Sequence, residues 1–171
     1  MMEEIKNKVA NSSLITIDLA DLKANQSTIL EIDLADFLWQ GLVLKEKEFR
    51  NVIQETNWGE YADKNVFIHC SVDAILPTWS FMLVASKLQG IVKNYVVGSK
   101  LDLEKIIIQD NIKQLDLSDP KFDSKKYIIK GCSDLSFPEF AMSELMKKIQ
   151  PSAQSIMYGE PCSTVPIFKR K

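Results

Sequence analysis

The sequence predicts an α/β fold: one domain, residues 1–171, built on a mainly parallel sheet flanked by helices and Rossmann-like in plan. Three observations predict it. Short β-branched runs alternate with helical patterns from residue 66 onward, the signature of βαβ units. Apolar content of 46% with 26% charged residues is that of an ordinary globular chain. A length of 171 residues suits one well-buried domain and is short for two.

The elements follow in order. Residues 3–11 form a short helix or a ragged start. Leu14-Ile15-Thr16-Ile17 and Ile29-Leu30-Glu31-Ile32 read as two strands, expected to pair as an N-terminal β-hairpin across the polar connection 21–27. Asp33 caps a helix, with Asp36 in its first turn, that Gly41 stops. A helix over 45–56 buries Phe49, Val52 and Ile53 on one face. Trp58 and Tyr61 stand in the loop that follows, as a lid on a core edge or as a binding surface.

Val66 to His69 is a strand. The helix over 77–91 starts on a proline and carries Phe81, Met82, Leu83, Val84, Leu88 and Ile91, so deep burial all round is expected. Tyr95-Val96-Val97 is a strand closed by Gly98. Ser99 and Asp102 form a capping box for a helix to about 115. Tyr127 to Lys130 is a strand, and Ser136 with Glu139 makes a second capping box for a helix to Ile149. Ser155 to Tyr158 is a strand, and Val165 to Phe168 adds a short edge.

An internal βαβ repeat is indicated. Strand, Cys-Ser, Asp, Pro, helix and a strand ending in Gly describe both 66–98 and 127–159. The likeness rests on few identities. Aligning the cysteines leaves 62 residues between them and a length difference before the proline.

Composition excludes several classes of function. The formal charge is −2 and the one basic cluster is Lys169-Arg170-Lys171, read as a solvated tail, so no nucleic-acid partner is expected. No stretch reaches the roughly 18 apolar residues of a membrane span, and residues 1–11 lack the apolar region of a secretory signal. A cytoplasmic protein is expected. In that reducing compartment an odd count of three cysteines argues against a disulfide framework.

All three cysteines precede a serine just past an apolar run: Cys70-Ser71, Cys132-Ser133 and Cys162-Ser163. In one parallel sheet the carboxyl ends of the strands share a rim where ligands bind, and that topology would gather the three thiols. Three sulfurs with an open fourth position suit zinc or an iron–sulfur cluster. Asp73, Asp134 and His69 are candidate fourth ligands, and Ser71, Ser133 and Ser163 candidate hydrogen-bond donors to the sulfurs. The bland reading is three inert, separately buried thiols. A thiol enzyme or sulfur carrier is the competing class, with Cys132 the favoured nucleophile. His69 is the single histidine, and neighbouring strand residues face opposite ways, so it is poorly placed to activate Cys70. An adaptor without chemistry would use Trp58 and Tyr61. Gly98-Ser99 before a helix is a weak phosphate signal, with neither a P-loop nor a dinucleotide fingerprint present.

The chain resembles the bacterial domain-of-unknown-function family 2480 at His69-Cys70-Ser71, Asp73-Ala74-Ile75, Pro77-Thr78-Trp79, Lys130-Gly131-Cys132-Ser133-Asp134 and Gly159-Glu160-Pro161-Cys162-Ser163-Thr164-Val165-Pro166. Val9-Ala10-Asn11-Ser12 and Gly41-Leu42 join the match, which covers nearly the whole chain. Members occur mostly in Bacteroidota, often encoded near components of the SUF iron–sulfur assembly system. The resemblance implies an accessory role in cluster assembly or sulfur handling, with iron–sulfur assembly proteins as partners. It brings no established activity.

Overall fold

The structure is a computed structural model and describes residues 14–131 and 133–171. The largely parallel α/β architecture is what forms, divided between two sheets and two compact units. One unit is Ala24–Ile106; among the described residues the other combines 14–23 with the chain from Ile107 to Lys171.

The Ala24–Ile106 unit holds β2 (Ile29–Asp33), β3 (Asn65–His69) and β4 (Asn94–Val97), all parallel in the order β2-β3-β4; β1 (Ile15–Asp18) belongs to the other unit. Helices α1 (Glu46–Glu55) and α2 (Thr78–Leu88) supply Phe49, Ile53, Val84 and Leu88 to a core completed by Ile32, Leu34, Val66 and Ile68. At the amino ends of the strands, Asn65 is buried and satisfied. Its amide donates to Thr28 Oγ1 at 3.0 Å, and its carbonyl oxygen accepts from Asn94 Nδ2 at 3.0 Å. This side-chain ladder lets a polar residue sit in the sheet without an unpaired buried amide.

The other unit carries β1 (Ile15–Asp18), β5 (Lys126–Lys130), β6 (Ser155–Glu160) and β7 (Ser163–Lys169), in the order β1-β5-β6-β7. The first three are parallel, and β7 returns antiparallel through a two-residue turn. Helix α4 (Pro138–Ile149) covers the sheet with Ala141, Leu145 and Ile149. Helix α3 (Lys100–Lys113) contributes Ile108 and Ile112 to this core. The edge strand β7 contains Pro166 and faces a register shift at Ile156/Met157, two devices that blunt edge-to-edge aggregation.

The internal repeat is present, one copy in each sheet: β3-α2-β4 and β5-α4-β6. Its offset is a constant 61 residues. It relates Val66 to Tyr127, Pro77 to Pro138, the buried trio Ser80, Val84 and Leu88 to Ala141, Leu145 and Ile149, and Gly98 to Gly159. No length difference remains. The cysteines are the pair that falls out of register, since Cys70 corresponds to Gly131. The repeat also extends to the first strands. Ile17-Asp18-Leu19-Ala20-Asp21 recurs as Ile32-Asp33-Leu34-Ala35-Asp36. In each copy the first Asp ends a strand and caps a one-turn 3-10 helix, accepting from the backbone of Ala20 or Ala35 at 2.9 Å.

Four local expectations are corrected. The two N-terminal strands form but make no hairpin: β1 pairs with β5 and β2 with β3, both parallel. The 3-10 turn after β1 leads the chain off the strand before any antiparallel return can start. Helix α2 is buried only along Ser80, Val84 and Leu88, and Met82 is exposed, because a helix on one face of a sheet has a solvent side whatever its composition. Val52 is likewise exposed on α1, leaving Phe49 and Ile53 to do the packing. The capping box at Ser136 is not made. Helix α4 starts at Pro138, whose fixed φ suits a first helical residue, and Phe137 stands at the cap without a side-chain bond.

Candidate functional site

The carboxyl ends of the parallel strands hold the polar residues of each unit. In the sheet of β2, β3 and β4, residues Glu31 and Asp33 are two apart on β2 and so share a face. Parallel pairing sets His69 directly beside Asp33 and Phe67 beside Glu31. The His69 ring packs against Phe67, with centroids 5.3 Å apart, and its Nε2 meets Glu31 Oε1. One donor atom from each of Glu31, Asp33 and His69 lies within 4.8 Å of the other two.

Asp33 is held firmly. Its Oδ1 accepts from Ala35 N at 2.9 Å and from Ser71 N at 3.0 Å. Partial burial works to raise its pKa, but the hydrogen bonds from Ser71 and Ala35, with His69 adding a smaller Coulombic pull, outweigh burial and leave it below the ordinary aspartate value. Ser71 therefore spends its N–H on Asp33.

Strand β3 ends at His69, and Cys70 follows it in the loop. The thiol is half-buried against the core of its unit and donates to Val72 O at 3.3 Å. Asp73 is exposed in the loop that follows.

In the sheet of β1, β5, β6 and β7 the equivalent rim carries Asp18, Lys130 and Glu160. Lys130 Nζ lies 3.3 Å from Glu160 Oε2 and 3.9 Å from Asp18 Oδ2. Next to it, Tyr158 closes over Gly131. A Cβ on Gly131 would stand 2.5 Å from the Tyr158 hydroxyl, so a side chain there would have to push Tyr158 aside. Cys132 lies outside the described residues. Ser133 and Asp134 are exposed, and the Ser133 hydroxyl donates to Asp134 at 3.4 Å. Cys162 is a free, exposed thiol in the Pro161-Cys162 turn, and Ser163 is exposed at the start of β7.

Cys70 thus closes a strand of the three-stranded sheet, and Cys162 turns out of a strand of the four-stranded one. The premise of a single sheet that would carry three thiols to one rim is replaced by two sheets.

The start of α3 offers no vacancy for phosphate. Ser99 N and Oγ both donate to Asp102 Oδ2, at 2.9 and 2.6 Å, and Asp102 N donates back to Ser99 Oγ at 3.2 Å. The chain's own carboxylate occupies that position. Trp58 and Tyr61 pack on the core, and Trp58 Nε1 donates to Ile53 O at 2.9 Å, which is the lid arrangement. Arg170 is no solvated tail: its guanidinium donates to the carbonyls of Ala153, Gln150 and Pro151 just past α4.

Residues 3–170 match the family model described as "Protein of unknown function (DUF2480)". The chain belongs to this family. No curated protein and no solved structure matches it. For the DUF2480 chain, then, the site has to be read from its own residues. Among them sequence reasoning passed over Glu31 and took Asp33 only as a cap. The available signal was the alternation Leu30-Glu31-Ile32-Asp33, which faces two carboxylates the same way at the end of a strand. Among the described residues, no helix is long and apolar enough to cross a membrane.

Proposed function

We propose that this DUF2480 protein is a cytoplasmic metal-binding protein whose thiols, with Cys70, Cys132 and Cys162 as the candidates, serve as soft ligands for zinc or an iron–sulfur cluster. It would serve iron–sulfur assembly proteins as an accessory. The observation that carries the reading is the setting of the described cysteines. Both are free thiols immediately past the carboxyl end of a parallel strand, where α/β sheets bind their ligands. Thiolate donors select zinc and iron–sulfur clusters over harder ions. Asp73 and Asp134 are exposed in the same segments as Cys70 and Cys132 and could complete a coordination shell.

The test is elemental analysis with an absorption spectrum on protein purified anaerobically without chelator. Near-stoichiometric zinc, or iron with sulfide and a broad visible band, is expected, and each single Cys→Ser change should lower it. Metal-free protein whose metal uptake is the same in all three variants would sink the reading.

A second reading, one reactive thiol acting in sulfur transfer or catalysis, is favoured by the unequal exposure of Cys162 and Cys70. It predicts that one cysteine alkylates at least tenfold faster than the other two at neutral pH. Equal, slow rates would count against it.

A further inference from the structure

The geometry points to a second metal site, distinct from the thiols, at Glu31, Asp33 and His69. It would take a divalent cation that accepts carboxylate and imidazole donors, such as Mn2+, Fe2+ or Zn2+. Two independent observations carry it.

The first is the donor set. Two carboxylates and one imidazole come from adjacent strands of one sheet, on one face, and bring one donor atom each within 4.8 Å of the others. Glu31 is exposed and His69 and Asp33 partly so, which leaves room for water in the remaining coordination positions. Oxygen and imidazole donors suit this class of ion. Asp33 is fixed by two backbone N–H groups, and the His69 ring by Phe67, so two of the three ligands are oriented in advance.

The second is the internal repeat, which supplies a comparison within one molecule. The repeat aligns Asp33 with Asp18 and His69 with Lys130, and the two pairs have the same strand register, Asp33 beside His69 and Asp18 beside Lys130. In the copy with lysine, an ammonium group sits at the rim between the carboxylates of Glu160 and Asp18. That rim position is therefore one where this architecture holds a positive charge between two acids. In the other copy histidine stands at the lysine's position, Asp33 keeps the place of Asp18, and Glu31, whose counterpart is Thr16, brings the second carboxylate. A cation bound at Glu31, Asp33 and His69 would take the place that the ammonium group fills in the lysine copy.

Manganese(II) tests the site and avoids the thiols, because it prefers oxygen donors. Mn2+ would be titrated into the full chain and followed by electron paramagnetic resonance. Binding of one Mn2+ per chain is expected, at least tenfold weaker in Glu31→Gln and in His69→Ala, and unchanged in Cys162→Ser. Glu31 lies on the surface, so Glu31→Gln should keep the fold, and circular dichroism would verify that. If the wild-type chain binds no Mn2+, or binds it equally well as Glu31→Gln, the cluster is only a Glu31–His69 side-chain pair and the inference is overturned. Neither result bears on the thiol site, whose test reads the Cys→Ser variants instead.

Discussion

Gly159 gives the sharpest test of the β6–β7 hairpin that presents Cys162. Its φ is +119°, and a Cβ there would lie 2.5 Å from the carbonyl oxygen of Ser163 and 3.5 Å from Thr164 Cα. The obstacle is backbone of the partner strand, directly opposite in the pairing Gly159–Thr164, and cannot swing aside as a side chain would. Gly159→Ala therefore meets two costs. Holding an L-residue at such a φ costs about 1–3 kcal/mol, and forcing the strands apart around an added methyl costs about 1–3 kcal/mol more. A loss of about 3–4 kcal/mol is expected, a large share of the roughly 5–15 kcal/mol that holds a domain folded. Gly90→Ala is the control. Gly90 also has positive φ, +78°, but nothing lies within 4 Å of its added Cβ, so only a backbone term of about 1–2 kcal/mol applies. Urea unfolding followed by circular dichroism, with unchanged m-values, would read the difference of about 2 kcal/mol. If the two variants agreed to within about 0.5 kcal/mol, the close approach at Ser163 would be refuted.

Three further outcomes follow from the contacts. Asp33→Ala removes the acceptor of two backbone N–H groups and Asp18→Ala of one, so in urea the first should cost about 1–2 kcal/mol and exceed the second; equal losses would deny the Asp33–Ser71 bond. Arg170→Met strips the three carbonyls after α4 of their donor and should cost about 1–2 kcal/mol by the same assay, whereas Lys171→Met should change stability by less than about 0.5 kcal/mol. The Ser99 hydroxyl and N–H hold the Asp102 carboxyl below the ordinary aspartate value, so this group favours the folded state above the unfolded-state pKa and loses that contribution as the pH falls through the folded one. Ser99→Ala should raise the Asp102 midpoint in a carboxyl-carbon NMR titration, and an unmoved midpoint would show the capping box to be absent.

How much of this was legible in the sequence depends on which signal each feature writes. The βαβ units were legible because alternating strand and helix patterns are local, and the Ser99–Asp102 box because its partners are three residues apart. The hairpin expectation failed because consecutive strands usually pair, and the choice of partner is made by contacts far along the chain. The start of α4 went wrong because Ser136 and Pro138 both mark helix beginnings, and the proline's fixed backbone decided between them. The Glu31–Asp33–His69 cluster was hidden for a different reason. His69 lies 38 residues beyond Glu31 and meets it only through the parallel register of β2 with β3.

The repeat shows what kind of likeness to look for. Matching the cysteines put the copies out of register by one residue, whereas matching buried positions brings Ser80, Val84 and Leu88 onto Ala141, Leu145 and Ile149 without a gap. Those pairs share burial and spacing but no identity, because a core position constrains volume and polarity more than residue type. The Asp caps kept their identity, since few side chains can accept the N–H at the start of a 3-10 turn. Between these constrained layers lies the rim, where Lys130 and His69 occupy one structural position with different chemistry. A duplicated scaffold that keeps its core and its caps while exchanging a fixed cation for a histidine has changed the part of the molecule that can hold a ligand. The copy with histidine in the lysine's position is therefore the one in which to look for a bound ion.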